Sequence, residues 1–253
     1  MGMKRELVVV GNIGVDVYIV SYNEVKTRPA GSGYNIAKGL AATKNEAYVI
    51  ANVARSFDAS VIDGLESNGI KVIRNEIRGR DEIVFVFDQR KNNENDSPLA
   101  ISVPVIRDPE SQLINKLGID GFALHLGTMP PDVANKILSQ VRKQKSLSML
   151  SANLYMPYLD KNINDAINLI VECDLLFMNE KEYLKVKEDH RVVLKDKICV
   201  VSLGSRGAIL IVENIPVFHY KAEVDAITCP IGAGDILVGV FLGTFLRTGD
   251  PTL

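Results

Sequence analysis

Short runs of β-branched residues that alternate with helix-like segments constrain this chain more than any other feature. Leu7-Val8-Val9-Val10-Gly11 is a β-branched run that ends in Gly, and Ala47–Val53 and Ile70–Ile73 repeat the type. Between them lie Tyr34–Lys44, Ala-rich with apolar residues at helical spacing, and the helical stretch Phe57–Asn68. Strands apolar on both sides, separated by helices, predict a parallel sheet covered on both faces, the doubly wound α/β arrangement. Further on, Pro109–Leu117, Pro131–Lys145, Ile163–Val171 and Glu180–Val186 read as helices. Phe122–Leu126, Leu147–Leu150, Leu175–Met178, Ile198–Leu203 and Ala208–Val212 read as strands.

The middle of the chain breaks the alternation. Glu82–Arg90 and Leu99–Val105 flank the polar loop Lys91–Ser97 with no helix between, so they are expected to pair antiparallel. With Val15–Val20 they form a small sheet standing off the main one, a lid drawn from about 14–29 and 77–106. Such a lid suits a site that must exclude water. An exposed strand edge there would allow a homodimer through the lid.

Composition narrows the function classes. Lys+Arg 29 against Asp+Glu 31 gives a net charge of −2, with no electrostatic reason to expect nucleic acid or a membrane surface. No apolar run approaches the roughly 18–20 residues of a membrane span. No signal peptide is visible, so a cytoplasmic enzyme is expected. Cys173, Cys199 and Cys229 are widely spaced and odd in number, which argues against a disulfide framework or a zinc site. His125 lies inside an apolar run and reads as a core residue.

The chemistry concentrates near the end, in Cys229-Pro230-Ile231-Gly232-Ala233-Gly234-Asp235 and the apolar helix that follows to about Arg247. A small-residue turn opening into a helix aims backbone N–H groups and the helix dipole at one spot, an anion site. The same residues also serve a plain loop with an acidic first turn. A carboxylate there, Asp235, is expected to have a low pKa.

In this order the pieces resemble the ribokinase-like (PfkB-type) family of sugar and nucleoside kinases, from Leu7 to about Leu246. Ile231-Gly232-Ala233-Gly234-Asp235 is similar to the family's T-G-A-G-D. The resemblance implies Gly232, Ala233 and Gly234 as the anion hole for the transferring phosphoryl group and Asp235 as the base that accepts the acceptor's proton. Asn179-Glu180-Lys181-Glu182 is similar to N-x-x-E, which implies that Asn179 and Glu182 organise Mg²⁺ and nucleotide phosphates, Glu182 through water; the same spacing is a capping box. Ala30–Ala37 is similar to G-G-x-x-x-N-x-A, which implies Gly31, Ser32 and Asn35, with Asp16, as acceptor-binding residues. Ser202, Gly204 and Gly207 match a strand–G-x-x-G–strand segment bordering the nucleotide, and they equally fit a hairpin turn.

Several positions depart from the family pattern. Cys229 stands in place of an Asp that helps form a monovalent-cation site, so potassium dependence is doubtful. Ala30 replaces a hinge Gly, and Ile231 a Thr. Ser151-Ala152-Asn153-Leu154-Tyr155 replaces D-x-N-x-R, where Asn153 alone fits as a substrate contact. About two family helices are expected beyond Leu253. The expectation is a single ribokinase-like domain that phosphorylates a hydroxymethyl group of a sugar or nucleoside with ATP and Mg²⁺. A kinase of a vitamin-like alcohol, or a catalytically weak sugar- or nucleoside-binding protein, are the alternatives.

Overall fold

The computed structural model describes residues 6–77, 83–88, 90, 100–102, 110–189, 194–223 and 231–252. The hairpin loop Lys91–Ser97 and the proposed cation-site position Cys229 lie outside the described residues. The chain begins with β1 (Leu7–Asn12) and turns into β2 (Gly14–Ser21) and β3 (Glu24–Ala30) before α1 (Ser32–Ala42). It continues through β4 (Ala47–Val53), α2 (Ala59–Glu66), β5 (Ile70–Glu76), β6 (Val84–Asp88) and β7 (Ala100–Ser102). Next come α3 (Glu110–Lys116), β8 (Phe122–Leu126), α4 (Pro131–Val141), β9 (Leu147–Asn153), α5 (Met156–Lys161) and α6 (Ile163–Glu172). The last elements are β10 (Leu175–Asn179), α7 (Glu180–Glu188), β11 (Ile198–Ser202), β12 (Ala208–Val212), β13 (Ile215–Tyr220) and α8 (Ala233–Thr248).

The main sheet has nine strands in the order β13-β12-β11-β10-β9-β8-β1-β4-β5. From β5 to β11 every pairing is parallel, and β12 and β13 extend it as an antiparallel hairpin edge. Strand alternation divides the apolar residues between two cores. Val8, Val10, Ile50, Leu124 and Leu176 face α3 to α7, whereas Leu7, Val9, Val49, Ala123 and Phe177 face α1, α2 and α8. The order reverses at β1, where the chain leaves toward β4 and later returns to the other side as β8. In such sheets ligands bind at this reversal, outside the carboxyl ends of the strands.

The expected alternation and the antiparallel β6–β7 pair are present, with element ends moved by a few residues. Three elements escape the sequence reading. The stretch between Val20 and Ala30, placed in the lid but not identified as a strand, is β3, paired antiparallel with β2, so among the described residues the small sheet has four strands in the order β3-β2-β6-β7. Most of β3 is exposed, and it therefore carries no hydrophobic period to detect. The edge strand β13 is exposed along its whole length, and α5 is a short turn of helix opened by Met156-Pro157.

The apolar stretch after Asp235 reads as a buried helix; in α8 Val238, Gly239, Leu242 and Gly243 are buried while Ile236 and Val240 are exposed. Its buried face meets α1 at Gly39 and Gly239. A Cβ on Gly239 would stand 2.1 Å from the Ile36 carbonyl oxygen, and one on Gly39 would stand 2.3 Å from that of Ile236. The two backbones therefore touch, and α1 and α8 present their N-termini side by side. Among the described residues no helix is long and apolar enough to cross a membrane.

Substituting Gly239→Ala should force the two helices apart. Its expected cost is about 1–3 kcal/mol, a fall in Tm of roughly 2–4 °C per kcal/mol for a chain of this size. Gly64→Ala in α2 is the control: nothing lies within 4 Å of the added methyl, so stability should hold or rise. Equal melting of both variants with the native protein would remove the tight crossing.

Candidate active site

The site lies where the N-terminus of α8, the start of α1, the lid and the carboxyl ends of β9 to β11 converge. Gly232 caps α8 in the left-handed conformation (φ 81°), which glycine adopts at little cost, and no side chain caps the helix. The first-turn N–H groups thus retain donor capacity that the helix itself cannot use. A Cβ on Gly232 would come within 2.5 Å of Asn35 Nδ2, whereas nothing stands within 4 Å of one on Gly234. Gly234 therefore offers an open backbone surface, and Gly232 is pressed against the Asn35 amide.

Asp235 occupies the third position of α8. Asn153, at the end of β9, donates from Nδ2 to its Oδ1 at 2.7 Å. The low pKa expected from the helix terminus is not what the surroundings produce. Burial pushes Asp235 up to about 7, the Asn153 hydrogen bond pulls it down, and the nearby Asp16 charge pushes it further up. Desolvation outweighs the helix dipole because removing a carboxylate from water disfavours its charge more than a partial positive charge restores.

Asp16 projects from β2 and is 3% exposed. Its Oδ2 accepts from the Tyr18 hydroxyl at 2.6 Å and from Arg28 Nη2 at 3.3 Å. Burial raises its pKa, and Tyr18 and Arg28 oppose the rise. The same Arg28 nitrogen donates to the Ile231 carbonyl at 2.8 Å, which joins β3 to the Gly-rich turn. Arg28 also lies over the Tyr18 ring, 4.8 Å from its centroid, and Tyr18 stacks on Phe87 of β6. The sequence reading passes over Arg28 and Tyr18. The usable signal is Tyr18 two residues after Asp16, on the same face of a strand.

The remaining predicted residues divide. Gly31 opens α1 at φ 97°, and a Cβ there would meet the Asn12 carbonyl at 2.4 Å, so it fixes the passage from lid to helix. Asn35 lies against Gly232 and Asn153 donates to Asp235. Ser32 turns away from it: its buried Oγ packs between the backbones of Gly11 and Gly127 and has no hydrogen-bond partner.

Asn179 and Glu182 form a complete capping box at the start of α7. Glu182 is 3% exposed; its Oε2 accepts from the Asn179 N–H at 2.7 Å and its Oε1 from the Met156 N–H at 2.9 Å. Burial raises its pKa against these hydrogen bonds. Ser202 lies beside Asn179 in the parallel register of β10 and β11. Gly204 and Gly207 bound a 3₁₀ turn between β11 and β12, and a Cβ on Gly207 would stand 1.9 Å from the Tyr220 carbonyl. The hairpin alone therefore requires Gly207.

Outside this cluster, His125 is a core residue whose Nδ1 meets Ser151 Oγ at 2.9 Å, and burial holds its pKa down near 3. Cys173 and Cys199 are free thiols, pushed up to about 12 by burial. Among the described residues no cluster of three or more His, Cys, Asp or Glu could hold a metal.

The fold is that of sugar and nucleoside kinases of known structure. Adenosine kinase from Sinorhizobium meliloti superposes with TM-score 0.73 at 14% identity, covering 96% of this chain and 88% of that one. An uncharacterized sugar kinase from Pyrococcus horikoshii gives TM-score 0.72 at 14% identity, covering 96% and 84%. Aminoimidazole riboside kinase from Salmonella enterica gives TM-score 0.69 at 17% identity, covering 97% and 86%. No curated protein matches by sequence. The model of the pfkB family carbohydrate kinases matches residues 4–252, and the chain belongs to that family, among the ATP-dependent kinases.

The raised pKa of Asp235 carries a stability consequence. The folded protein keeps a proton on Asp235 up to about pH 7, while the unfolded chain releases it near the ordinary value of 3.8. Stability on this account is present at low pH and declines as pH rises between those two values. Asp235→Asn should thus raise Tm at pH 8 and leave it unchanged near pH 3. Parallel Tm–pH curves for the two proteins would contradict the raised value.

Proposed function

We propose that this protein transfers the γ-phosphoryl group of ATP to a hydroxymethyl group of a sugar or nucleoside, with Asp235 as general base. The observation that carries the reading is the juxtaposition of Asp235 with an uncapped, glycine-lined helix N-terminus. Backbone N–H groups of Gly232, Ala233 and Gly234 would stabilise charge on the transferring group, and the open face of Gly234 lets a phosphate approach. Bound ATP supplies the phosphoryl group. Adenosine kinase and aminoimidazole riboside kinase among the similar structures support a ribose-bearing acceptor, and a ribokinase from Cryptococcus neoformans in complex with ADP supports an adenine nucleotide as donor.

Asp235 takes the hydroxyl proton. A base with a pKa near 7 is partly ionised at neutral pH and still basic enough to accept that proton as the oxygen attacks. Asp16 and Asn35 would hold the acceptor's other hydroxyls as acceptor and donor. Asn179 and Ser202 line the nucleotide side, at the carboxyl edge of β10 and β11.

Mg²⁺ would arrive with the nucleotide. Each Glu182 oxygen accepts one backbone N–H, which joins α5 to α7, and its remaining lone pairs would serve a water-mediated contact to the ion. An ion that keeps its waters and the phosphate oxygens needs no direct protein carboxylate.

ATP consumption measured against a panel of pentoses, hexoses and nucleosides tests the assignment. One acceptor should give turnover that falls by roughly 10²-fold or more in Asp235→Ala, as expected for loss of a general base. Tight acceptor binding with no turnover in the native protein would instead support a binding protein on this fold.

A further inference from the structure

Asn153 stands between the base and the body of the sheet, and two facts about it need a common explanation. Its Nδ2 holds one oxygen of Asp235 at 2.7 Å. Its Oδ1 is buried and has no hydrogen-bond partner. A buried carbonyl oxygen without a donor is costly and calls for a reason. The strand supplies rigidity: Leu154, next in the chain, donates from its backbone to the Phe177 carbonyl at 2.9 Å, and Ala152 is fully buried.

Resting on the kinase reading above, we infer that Asn153 is the positioning residue of the transfer site. It pins Oδ1 of Asp235 and so leaves Oδ2 as the oxygen that meets the acceptor hydroxyl, while its own Oδ1 receives a second, neighbouring acceptor hydroxyl. An amide is suited to this task because it presents a donor to the carboxylate and an acceptor to the substrate from one planar group. An acceptor with two adjacent hydroxyl-bearing carbons satisfies both; one lacking the neighbouring hydroxyl leaves the buried carbonyl unpaired.

The charges around Asp235 make the effect separable. Asp16 on β2 is the ionisable group that acts on it, and Arg28 on β3 pairs with Asp16. The helix α1 meets α8 through Ile36, Gly39 and Leu40, and β10 meets it through Phe177, none of them ionisable. Asn153 is the neutral donor that favours the charged carboxylate. Its removal must therefore drive the Asp235 titration upward, whereas a merely structural asparagine would lower Tm and leave that titration in place.

The test is a ¹³C-carboxyl NMR titration of the whole protein labelled at aspartate, with the Asp235 signal assigned by its loss in Asp235→Asn. In Asn153→Ala the midpoint should rise by roughly 0.5–1 pH unit relative to the native protein. In Asn153→Asp, which keeps the shape and adds a like charge, it should rise by at least as much. A midpoint unmoved in either folded variant overturns the inference, and the near-isosteric Asn153→Asp decides it should the alanine variant fail to fold. Turnover is followed on the same samples, where the acid limb of kcat/KM should move with the midpoint. A shifted titration in a protein that phosphorylates no acceptor would keep Asn153 as the positioning residue of Asp235 and discard the kinase reading. Turnover with an unshifted titration would do the reverse.

Discussion

The contact between the backbones of α1 and α8 at Gly39 and Gly239 fixes where everything else in the site can stand. With no side chain between them, the helices approach until each glycine lies against a carbonyl of the other. One turn earlier on α1 and two turns earlier on α8, that approach presses Asn35 against Gly232. A single methyl at the crossing would separate the two N-termini and with them the Asn35 amide and the Gly232–Gly234 turn. Asn45, which donates to the Gly243 carbonyl at 2.8 Å, repeats the device one turn later and locks the relative slide of the helices. Stability and function share one constraint here, because the interface that buries Val238 and Leu242 is also the ruler for the site.

A second consequence follows from enclosure. Asp16 and Asp235 are both held above the ordinary carboxylate range, chiefly by burial, and Asp16 adds repulsion to Asp235. Two carboxylates drawn from water toward one point are a cost to folding. That cost recurs at sites whose work needs a base poised near neutrality. Arg28 limits it by pairing with Asp16, and Asn153 limits it by donating to Asp235.

Much of this arrangement was legible in the sequence because it rests on local signals. The β-branched runs gave the main strands since both faces of the sheet are covered, and Gly232-Ala233-Gly234-Asp235 announced a turn opening a helix. What stayed hidden depends on partners distant in sequence. No local pattern says that Gly39 meets Gly239, or that burial would reverse the pKa expected for Asp235 at a helix terminus. Arg28 was lost in a stretch whose exposure erased any alternation. Asn179 and Glu182 show the opposite difficulty, where one spacing satisfied two descriptions. The geometry realises the capping box in full, and a phosphate role for Asn179 must coexist with it.

The small sheet contributes charge as well as cover. Arg28 reaches from β3 to both Asp16 and the Ile231 carbonyl, so the guanidinium sits at the junction of the small sheet and the Gly-rich turn. Separating β3 from α8 would break the bond to Ile231. Water would lower the Asp235 pKa by restoring solvation of its charge. The raised pKa of Asp235 is thus a property of its enclosure. Ala30, in the last position of β3 and 1% exposed, packs where the family pattern has a glycine, and its paired position across the ladder is Gly14. Two small residues thus face each other across β2 and β3 at the base of the small sheet, where the chain turns at Gly31 into α1.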